Sequence, residues 1–147
     1  MRICVDTSIL IDVLKDEFRP YQEKLYEAIA HREQLVSPVV VFGELLPQFK
    51  GDEKQAAEFL NDHRIAIEPL DIASVSSASK SWLKYLKRRE RMVCPSCGHA
   101  LLQRMYFLSD FYIGGFASAK CDAILTRDRG IYRKYFQTLE GYAGCLI

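Results

Sequence analysis

The sequence lacks long hydrophobic runs. No apolar stretch approaches the roughly 20 residues that a transmembrane helix needs. Asp6 and Asp12 interrupt the N-terminal segment where a signal peptide would carry its apolar centre, so no such peptide is indicated. Internal repeats, low-complexity tracts and linkers between domains are also absent. We therefore expect a cytoplasmic protein with no membrane partner, folded as a single domain over residues 1–147.

The sequence also has little excess charge of either sign. The net charge is +1, which excludes a strongly basic or acidic protein, so any basic surface must come from local clusters. A hydrophobic content of 49% with 27% charged residues excludes a disordered chain. The sequence has 5 cysteines, and in a cytoplasmic protein they are more often reduced or metal-bound than paired in disulfides.

Short apolar runs alternate with amphipathic segments along the whole chain. Strands are predicted at residues 3–5, 34–37, 65–67 and 123–125, with a last edge strand within 139–147. Helices are predicted at residues 9–15, 21–31, 38–46, 53–63, 72–92, 109–119 and 131–136. Thr7 or Ser8 should cap the first helix, and Ser37 the third. Strands that alternate with helices favour an α/β fold with a parallel sheet and right-handed crossovers.

Four acidic side chains stand at unusual places in this pattern. Asp6 directly follows a predicted buried strand and Asp128 comes just beyond the end of another, so both should lie at the carboxyl edge of the sheet, where ligands bind in open α/β folds. Glu44 lies within an almost wholly apolar helix, where an unpaired charge is costly. Asp110 lies at a helix start. Ordinary interpretations stay open, because Asp6 and Asp110 could be helix caps and Asp128 a turn residue.

The four carboxylates together predict a divalent metal site. Several carboxylates in one cleft repel each other, and a cation removes that conflict. Oxygen ligands suit Mg²⁺ or Mn²⁺, which can activate a water molecule and stabilise charge on a phosphoryl oxygen. The pattern therefore favours phosphodiester hydrolysis. No Ser-His-Asp or Cys-His arrangement offers an obvious alternative, since the 3 histidines lie in polar helices or beside cysteines.

The segment Cys94-Pro-Ser-Cys-Gly98 has the spacing of one zinc knuckle. A structural zinc site needs four ligands, so Cys94 and Cys97 would need His99, another cysteine, or the thiolates of a second chain. A redox pair and a plain turn with reduced thiols remain open. We expect the other cysteines to be small core residues: Cys4, Cys121 and Cys145.

Two basic clusters accompany these motifs. The first comprises Lys84, Lys87, Arg88, Arg89 and Arg91, and the second Arg127, Arg129, Arg133 and Lys134. Phosphate contacts from such residues would give binding that weakens with salt, and neighbouring aromatic side chains could stack on unpaired bases. The second cluster borders the predicted metal site, so we predict that it binds RNA. The first is either an RNA contact or an ordinary solvated helix face.

Four segments resemble, in the correct order, the motifs of the PIN-domain nuclease family, which includes the VapC-like toxins of toxin–antitoxin modules. They are residues 5–12, 41–45, 110–117 and 121–132. The resemblance implies a three-layer α/β/α sandwich and Mg²⁺- or Mn²⁺-dependent endoribonuclease activity. It also implies a homodimer and an antitoxin partner. The cysteine-containing segment around residues 92–106 departs from the family pattern and is interpreted as an insertion before the third motif. The implied catalytic and metal-binding quartet is Asp6, Glu44, Asp110 and Asp128, supported by Thr7 and Thr126.

Two other functions remain open. The first is a PIN-fold module that binds RNA or assembles complexes without cleaving RNA, which a metal-dependent cleavage assay distinguishes. The second is a phosphohydrolase with an aspartate nucleophile, suggested by the strand that ends at Asp6. Such enzymes usually need a second aspartate two positions later, where this chain has Ser8. Asp122 is not part of the predicted quartet. We expect it to cap or support the strand beside it.

Overall fold

The computed structural model of the chain describes residues 1–88, 92–101 and 106–141. Its strands are β1 (Arg2–Val5), β2 (Gln34–Pro38), β3 (Ile65–Glu68), β4 (Met92–Val93), β5 (Ala100–Leu101), β6 (Ala123–Leu125) and β7 (Glu140–Gly141). Its helices are α1 (Thr7–Lys15), α2 (Arg19–Ala30), α3 (Val39–Leu45), α4 (Glu53–Asp62), α5 (Ile72–Arg88), α6 (Leu108–Lys120) and α7 (Arg129–Tyr135). A short 3₁₀ turn, Leu46–Phe49, follows α3.

Five strands form one parallel sheet in the order β3-β2-β1-β6-β7. The strand β1 lies at its centre, where Cys4 pairs with Val36 of β2 and with Ile124 of β6. Ile3, Cys4 and Val5 have no exposed surface, as expected of a parallel strand covered on both faces. The sheet with its flanking helices confirms the predicted α/β/α fold class.

Helices α5 and α6 pack closely because a residue without a side chain lies at their contact. A Cβ atom on Gly115 would lie 2.4 Å from the Ser74 carbonyl oxygen, too close for a real side chain. The sequence suggests that the small residues of α6 pack on the sheet, but Gly115 contacts α5 and Gly114 faces the Phe136 ring. This contact fixes α6, and with it Asp110 in the first turn of that helix.

The helix α3 differs from its prediction in its start and in its burial. Pro38 belongs to β2 and precedes the helix in an extended conformation, with ψ 156°, so neither the cap by Ser37 nor Pro38 in the first turn is right. The buried residues of α3 are Val41 and Leu45, one turn apart. The other face of the helix meets solvent, so Glu44 is partly exposed rather than enclosed in the core.

The segment after α5 also departs from the pattern. The sequence predicts a helix to about residue 92, whereas α5 ends at Arg88 and β4 begins at Met92. Residues 89–91 lie outside the described structure. The strands β4 and β5 form an antiparallel hairpin, although the sequence suggested a helix or irregular chain from Ala100. Met92, the last residue of the predicted helix, is therefore in a strand.

The C-terminal edge strand is described in part. Glu140 and Gly141 pair with β6, and residues 142–147 of the predicted strand lie outside the described structure. Within the described ranges, no helix combines the length and the apolar composition that crossing a membrane would require. A single domain over residues 1–147, with an insertion around 92–106, stays a prediction.

Candidate active site at the carboxyl edge of the sheet

Asp6 lies where the central strand β1 ends and α1 begins. Its backbone N–H donates to the Leu125 carbonyl at 3.0 Å, which extends the pairing of β1 with β6 by one residue. Its Oδ2 atom accepts hydrogen bonds from the Ser8 and Thr126 hydroxyls, both at 2.7 Å. The helix begins at Thr7, so the predicted cap by Thr7 or Ser8 is wrong. Asp6 holds the N-cap position, but its carboxylate binds these hydroxyls rather than the helix end.

Asp128 lies just beyond the end of β6, from which Thr126 and Arg127 separate it. Its Oδ1 atom accepts the Gly130 N–H at 3.1 Å and so caps α7, which agrees with the turn interpretation. Its own N–H donates to the Thr126 hydroxyl at 3.0 Å. Thr126 has no exposed surface. Its hydroxyl donates to the Asp6 carboxylate and accepts the Asp128 N–H, so it links the two acids.

The two helical acids are held by neighbours of their own. The Thr7 hydroxyl donates to Oε2 of Glu44, which connects α1 to α3. Oδ2 of Asp110 accepts the Phe107 N–H at 2.9 Å, so Asp110 also supports the start of α6. The capping interpretation of Asp110 is therefore correct, and it does not exclude a second use of the carboxylate.

All four predicted acids line one cavity of about 430 Å³ at the carboxyl edge of the sheet. Its lining residues are Asp6, Thr7, Ser8, Ile11, Glu44, Asp110, Arg127 and Asp128. The acids come from the ends of two strands, from α3 and from α6. The fold thus brings together residues far apart in sequence, as expected for the quartet. Their catalytic role stays a prediction.

Negative charge is crowded in this cavity. Burial raises the pKa of Asp6, opposed by the hydroxyls of Thr126 and Ser8, and the nearby Glu44 raises it further. Burial raises the pKa of Asp110 to about 6, and the charges of Asp6, Glu44 and Asp128 add to that shift. Burial and mutual repulsion disfavour the charged form of these acids. A bound cation would favour the charged form, so the cavity is suited to a cation.

The chemistry of the donor set fits a hard divalent cation. Carboxylate oxygens are ligands that Mg²⁺ and Mn²⁺ accept. Among the described residues, however, no three histidine, cysteine, aspartate or glutamate side chains converge closely enough to form a ready metal cage. The four acids share the cavity without forming such a cage, so Asp6, Glu44, Asp110 and Asp128 are candidate ligands.

Asp12 is a buried acid to which the sequence patterns above assign no role. It has no exposed surface, and within the described part of the chain neither carboxylate oxygen accepts a hydrogen bond. Arg127 meets its charge at 3.3 Å and stacks its guanidinium 4.2 Å from the centre of the Phe18 ring. Burial raises the pKa of Asp12, and Arg127 opposes that shift. The sequence feature that could have identified Asp12 is a charged residue within an apolar helix, as for Glu44.

The predicted RNA-binding residues occupy different surroundings. Arg127 lines the acidic cavity, where its partner Asp12 holds it. Arg129 donates to the Tyr21 hydroxyl at 3.3 Å, and Arg133 is exposed. Lys134 lies away from the acids, on a second cavity. RNA binding by these residues stays a prediction.

This second cavity, of about 400 Å³, brings the two basic clusters together in a basic groove between α5 and the end of α7. Its lining residues are Ser77, Ser81, Lys84, Arg88, Ser118, Lys134, Tyr135, Phe136, Gln137 and Thr138. No acid is among them. Lys87 lies on another side of α5 and does not line the groove, and Arg89 and Arg91 fall outside the described residues.

The cysteine hairpin, residues 92–101, has the tight turn that its sequence predicts. The Cys94 N–H donates to the His99 carbonyl at 2.9 Å, and the Gly98 N–H donates to the Cys94 carbonyl at 2.9 Å. Gly98 adopts the left-handed φ of 71° that the turn requires. The N–H groups of Ser96 and Cys97 donate to the Cys94 sulfur, which lowers the pKa of that thiol. Both cysteines are reduced, and zinc binding stays a prediction.

The remaining predicted residues have structural roles. Asp122 accepts the Arg2 N–H at 2.7 Å and so supports the start of β1, as expected. Cys4 is fully buried and Cys121 partly so. Cys145 lies outside the described residues.

Comparisons with known proteins bear on this site. A family model for the PIN domain matches residues 3–137, a range that contains all four acids of the cavity. No curated protein gives a significant match. Ten chains of solved structures match, among them the crystal structure of VapBC2 from Rickettsia felis bound to a DNA fragment from their promoter. That match has a TM-score of 0.65 and 14% identity, and covers 95% of this chain and 96% of that chain.

The structural match at 14% identity shows the fold alone, whereas the family model identifies the family. PIN domains are generally nucleases, and such nucleases typically use divalent metal ions. The acidic cavity and its all-oxygen donor set agree with that chemistry. Because the family model spans residues 3–137, from the central strand to beyond the helix that Asp128 caps, the chain belongs to the PIN domain family.

Proposed function

We propose that the protein is a divalent-metal-dependent endoribonuclease that acts as the toxin of a toxin–antitoxin pair. One observation carries the proposal: four carboxylates from distant segments line a single cavity in which they hold back each other's ionisation. Helix capping alone explains Asp128 and Asp110 in part, but it does not explain why four acids gather. A bound divalent cation that takes part in hydrolysis would explain why the four acids lie together.

The chain's own residues orient the reacting groups. Asp6, Glu44, Asp110 and Asp128 would hold a Mg²⁺ or Mn²⁺ ion, which would supply an activated water and compensate charge on the phosphate. Thr126 and Ser8 hold Asp6 in one orientation, and Thr7 does the same for Glu44. Arg127 lines the cavity and forms an ion pair with Asp12. Its guanidinium would bring a positive charge to the phosphate that enters.

RNA is the proposed substrate because the basic groove lies at the far end of the helix that Asp128 caps. Lys134 lies six residues after Asp128 on α7, which is about 9 Å along the helix axis. Lys84 and Arg88 face Lys134 across the groove, and none of the three makes an ion pair within the described residues. Flanking phosphates of a single strand bound there would give affinity that falls with salt.

An antitoxin is the proposed protein partner. The support is the structural neighbour, which is a VapBC2 complex bound to promoter DNA. Toxins of this family are usually cytoplasmic, and the proposal includes that location. The activity does not depend on this part of the proposal, since cleavage belongs to the chain that carries the quartet.

The test is cleavage of end-labelled single-stranded RNA, with DNA of the same sequence in parallel, in Mg²⁺, Mn²⁺, Ca²⁺ or chelator. We expect cutting of RNA that requires Mg²⁺ or Mn²⁺ and falls by at least about 100-fold in Asp6→Asn. The matched control is Asp62→Asn, which removes an equal charge from an exposed position on α4. A folded Asp6→Asn protein that cuts at the wild-type rate would refute the proposal.

A second candidate function is an RNA-binding module without activity. The observation that favours it is that no three of the described acids form a ready metal cage. The same assay separates the two functions when binding is measured beside cleavage. RNA that binds in the basic groove and stays intact with every metal would establish the module.

A further inference from the structure

The cysteine hairpin stands apart from the sheet and carries two thiols at its turn. Its strands pair with each other, and within the described residues they join no strand of the main sheet. Cys97 is exposed and Cys94 partly exposed, so both sulfurs can meet a ligand from outside the chain. None of the cavity-lining acids belongs to this segment.

The turn has the backbone arrangement that a pair of metal-bound thiolates needs. Two successive N–H groups, of Ser96 and Cys97, point at the Cys94 sulfur, and the Cys97 thiol contacts it as well. Gly98 reverses the chain in a left-handed conformation with nothing within 4 Å of the missing Cβ. Such N–H donors stabilise a negatively charged sulfur, whereas a turn that only joins two strands has no use for them.

The ligand count of the hairpin is incomplete. Zinc in a structural site takes four ligands, and the hairpin supplies two. His99 does not complete a set, because no group of three histidine, cysteine or acidic side chains suited to a metal exists among residues 1–88, 92–101 and 106–141. The remaining ranges contain two further candidates, Glu90 and Cys145. Two hairpins, one from each of two chains, supply four thiolates without Glu90 or Cys145.

Apolar side chains are exposed on the hairpin and directly after it. Val93 on β4 is 56% exposed, and Phe107 at the start of α6 is 65% exposed. Leu108 adds a third such side chain. Residues of this kind usually lie inside, so each leaves apolar surface on or near the hairpin that a second copy of the chain could cover.

We propose that two copies of this chain share one Zn²⁺ ion, to which each copy contributes Cys94 and Cys97. Four thiols lose their protons to solvent, and four sulfurs surround one zinc ion in a tetrahedron. The resulting site carries a net charge of about −2. The basic end of α5, with Lys87 and Arg88, comes just before the hairpin in the sequence.

The test measures zinc per chain and molar mass together, on protein purified without chelator. We expect one zinc for two chains and a dimer, and a monomer without zinc after a strong chelator is added. Cys97→Ser should lose both the zinc and the dimer. Cys121→Ser is the matched control, because it removes a thiol outside the hairpin, and it should keep both.

Three results would overturn the proposal. One zinc per monomeric chain would mean that each chain completes its own site. Zinc lost equally in Cys145→Ser would place the third ligand in the same chain. A wild-type protein that takes up no zinc when the ion is supplied under reducing conditions would remove the site altogether. None of these readouts uses RNA, so the outcome does not depend on the proposed nuclease activity.

Discussion

The acidic cavity and the cysteine hairpin are built in opposite ways. Thr126 donates to Asp6 across 120 residues of sequence, and the four acids are spread over most of the chain. The hairpin is closed by hydrogen bonds between residues four and five positions apart, from Gly98 to Cys94 and from Cys94 to His99. The cavity therefore depends on the whole fold, whereas the hairpin depends on its own ten residues.

The largest effect should come from a change outside both regions. Gly115→Ala places a Cβ 2.4 Å from the Ser74 carbonyl oxygen and 2.7 Å from the Ala78 nitrogen, so α5 and α6 must separate. We expect a loss of about 3 kcal/mol in the free energy of unfolding, measured in urea. Cleavage should fall with it, because α6 carries Asp110.

The control for this change is another glycine in a helix. Gly43 lies on the exposed face of α3, and nothing lies within 4 Å of the Cβ that alanine would add. Gly43→Ala should therefore be neutral or stabilise the protein by up to about 1 kcal/mol. Equal destabilisation by both substitutions would show that the contact between α5 and α6 is not what supports the cavity.

The second effect concerns the buried hydroxyl that links the strand-end acids. Thr126→Val removes the donor to Asp6 and the acceptor for the Asp128 N–H while keeping the volume. We expect a loss of about 2 kcal/mol in stability and at least about a tenfold loss of cleavage. Thr126→Ser restores the hydroxyl and should recover most of both. A valine variant as active as wild type would show that Asp6 is oriented by other contacts.

The third effect is the pH dependence that Asp110 in the cavity contributes. The pKa of Asp110 is raised to about 6 in the folded protein, so the unfolded chain releases this proton first. Metal-free stability should therefore be unaffected below about pH 4 and should fall as the pH rises from about 4 to 6. After allowance for partial exposure, the loss is about 1 to 2 kcal/mol.

The measurement compares wild type with Asp110→Asn in chelator across that pH range. The variant should be the more stable protein at pH 7, and the difference should vanish at pH 4. Mn²⁺ should stabilise the wild type more at pH 7 than at pH 5, because protonated Asp110 competes with the ion. Parallel pH curves for the two proteins would contradict the raised pKa.

The smallest effect should be confined to the hairpin. Gly98→Ala forces an alanine to a φ of 71° without any clash, at about 1 kcal/mol. We expect about a fivefold loss of zinc affinity and a change below about 0.5 kcal/mol in global unfolding. A large loss of global stability would mean that the hairpin is part of the main cooperative unit, and the contrast drawn above would fail.

The sequence predicts the parts of the site that follow from element order. Asp6 and Asp128 could be placed at one edge because each lies at or just beyond the end of a buried parallel strand. The turn at Gly98 could be predicted because its residues act within a few positions. The family follows from the motifs, and the match over residues 3–137 confirms it.

The rest of the site depends on contacts that no local pattern encodes. The hydroxyl of Ser8 turns to Asp6 because α1 begins earlier than expected, and Pro38 ends β2 instead of opening α3. The pairing of Asp12 with Arg127 joins segments 115 residues apart, and only the folded chain places them together. The basic groove likewise needs α5 and α7 side by side, although each cluster alone looks like a solvated face.

The central position of β1 has a consequence for protein synthesis. Its partner β6 and the hydroxyl of Thr126 are made some 120 residues later, which at translation rates of 5–20 residues per second means about 6 to 24 seconds. During that interval the growing chain has no closed acidic cavity, because one wall does not yet exist. The proposed cleavage activity could therefore not begin before β6 and Thr126 have been synthesised.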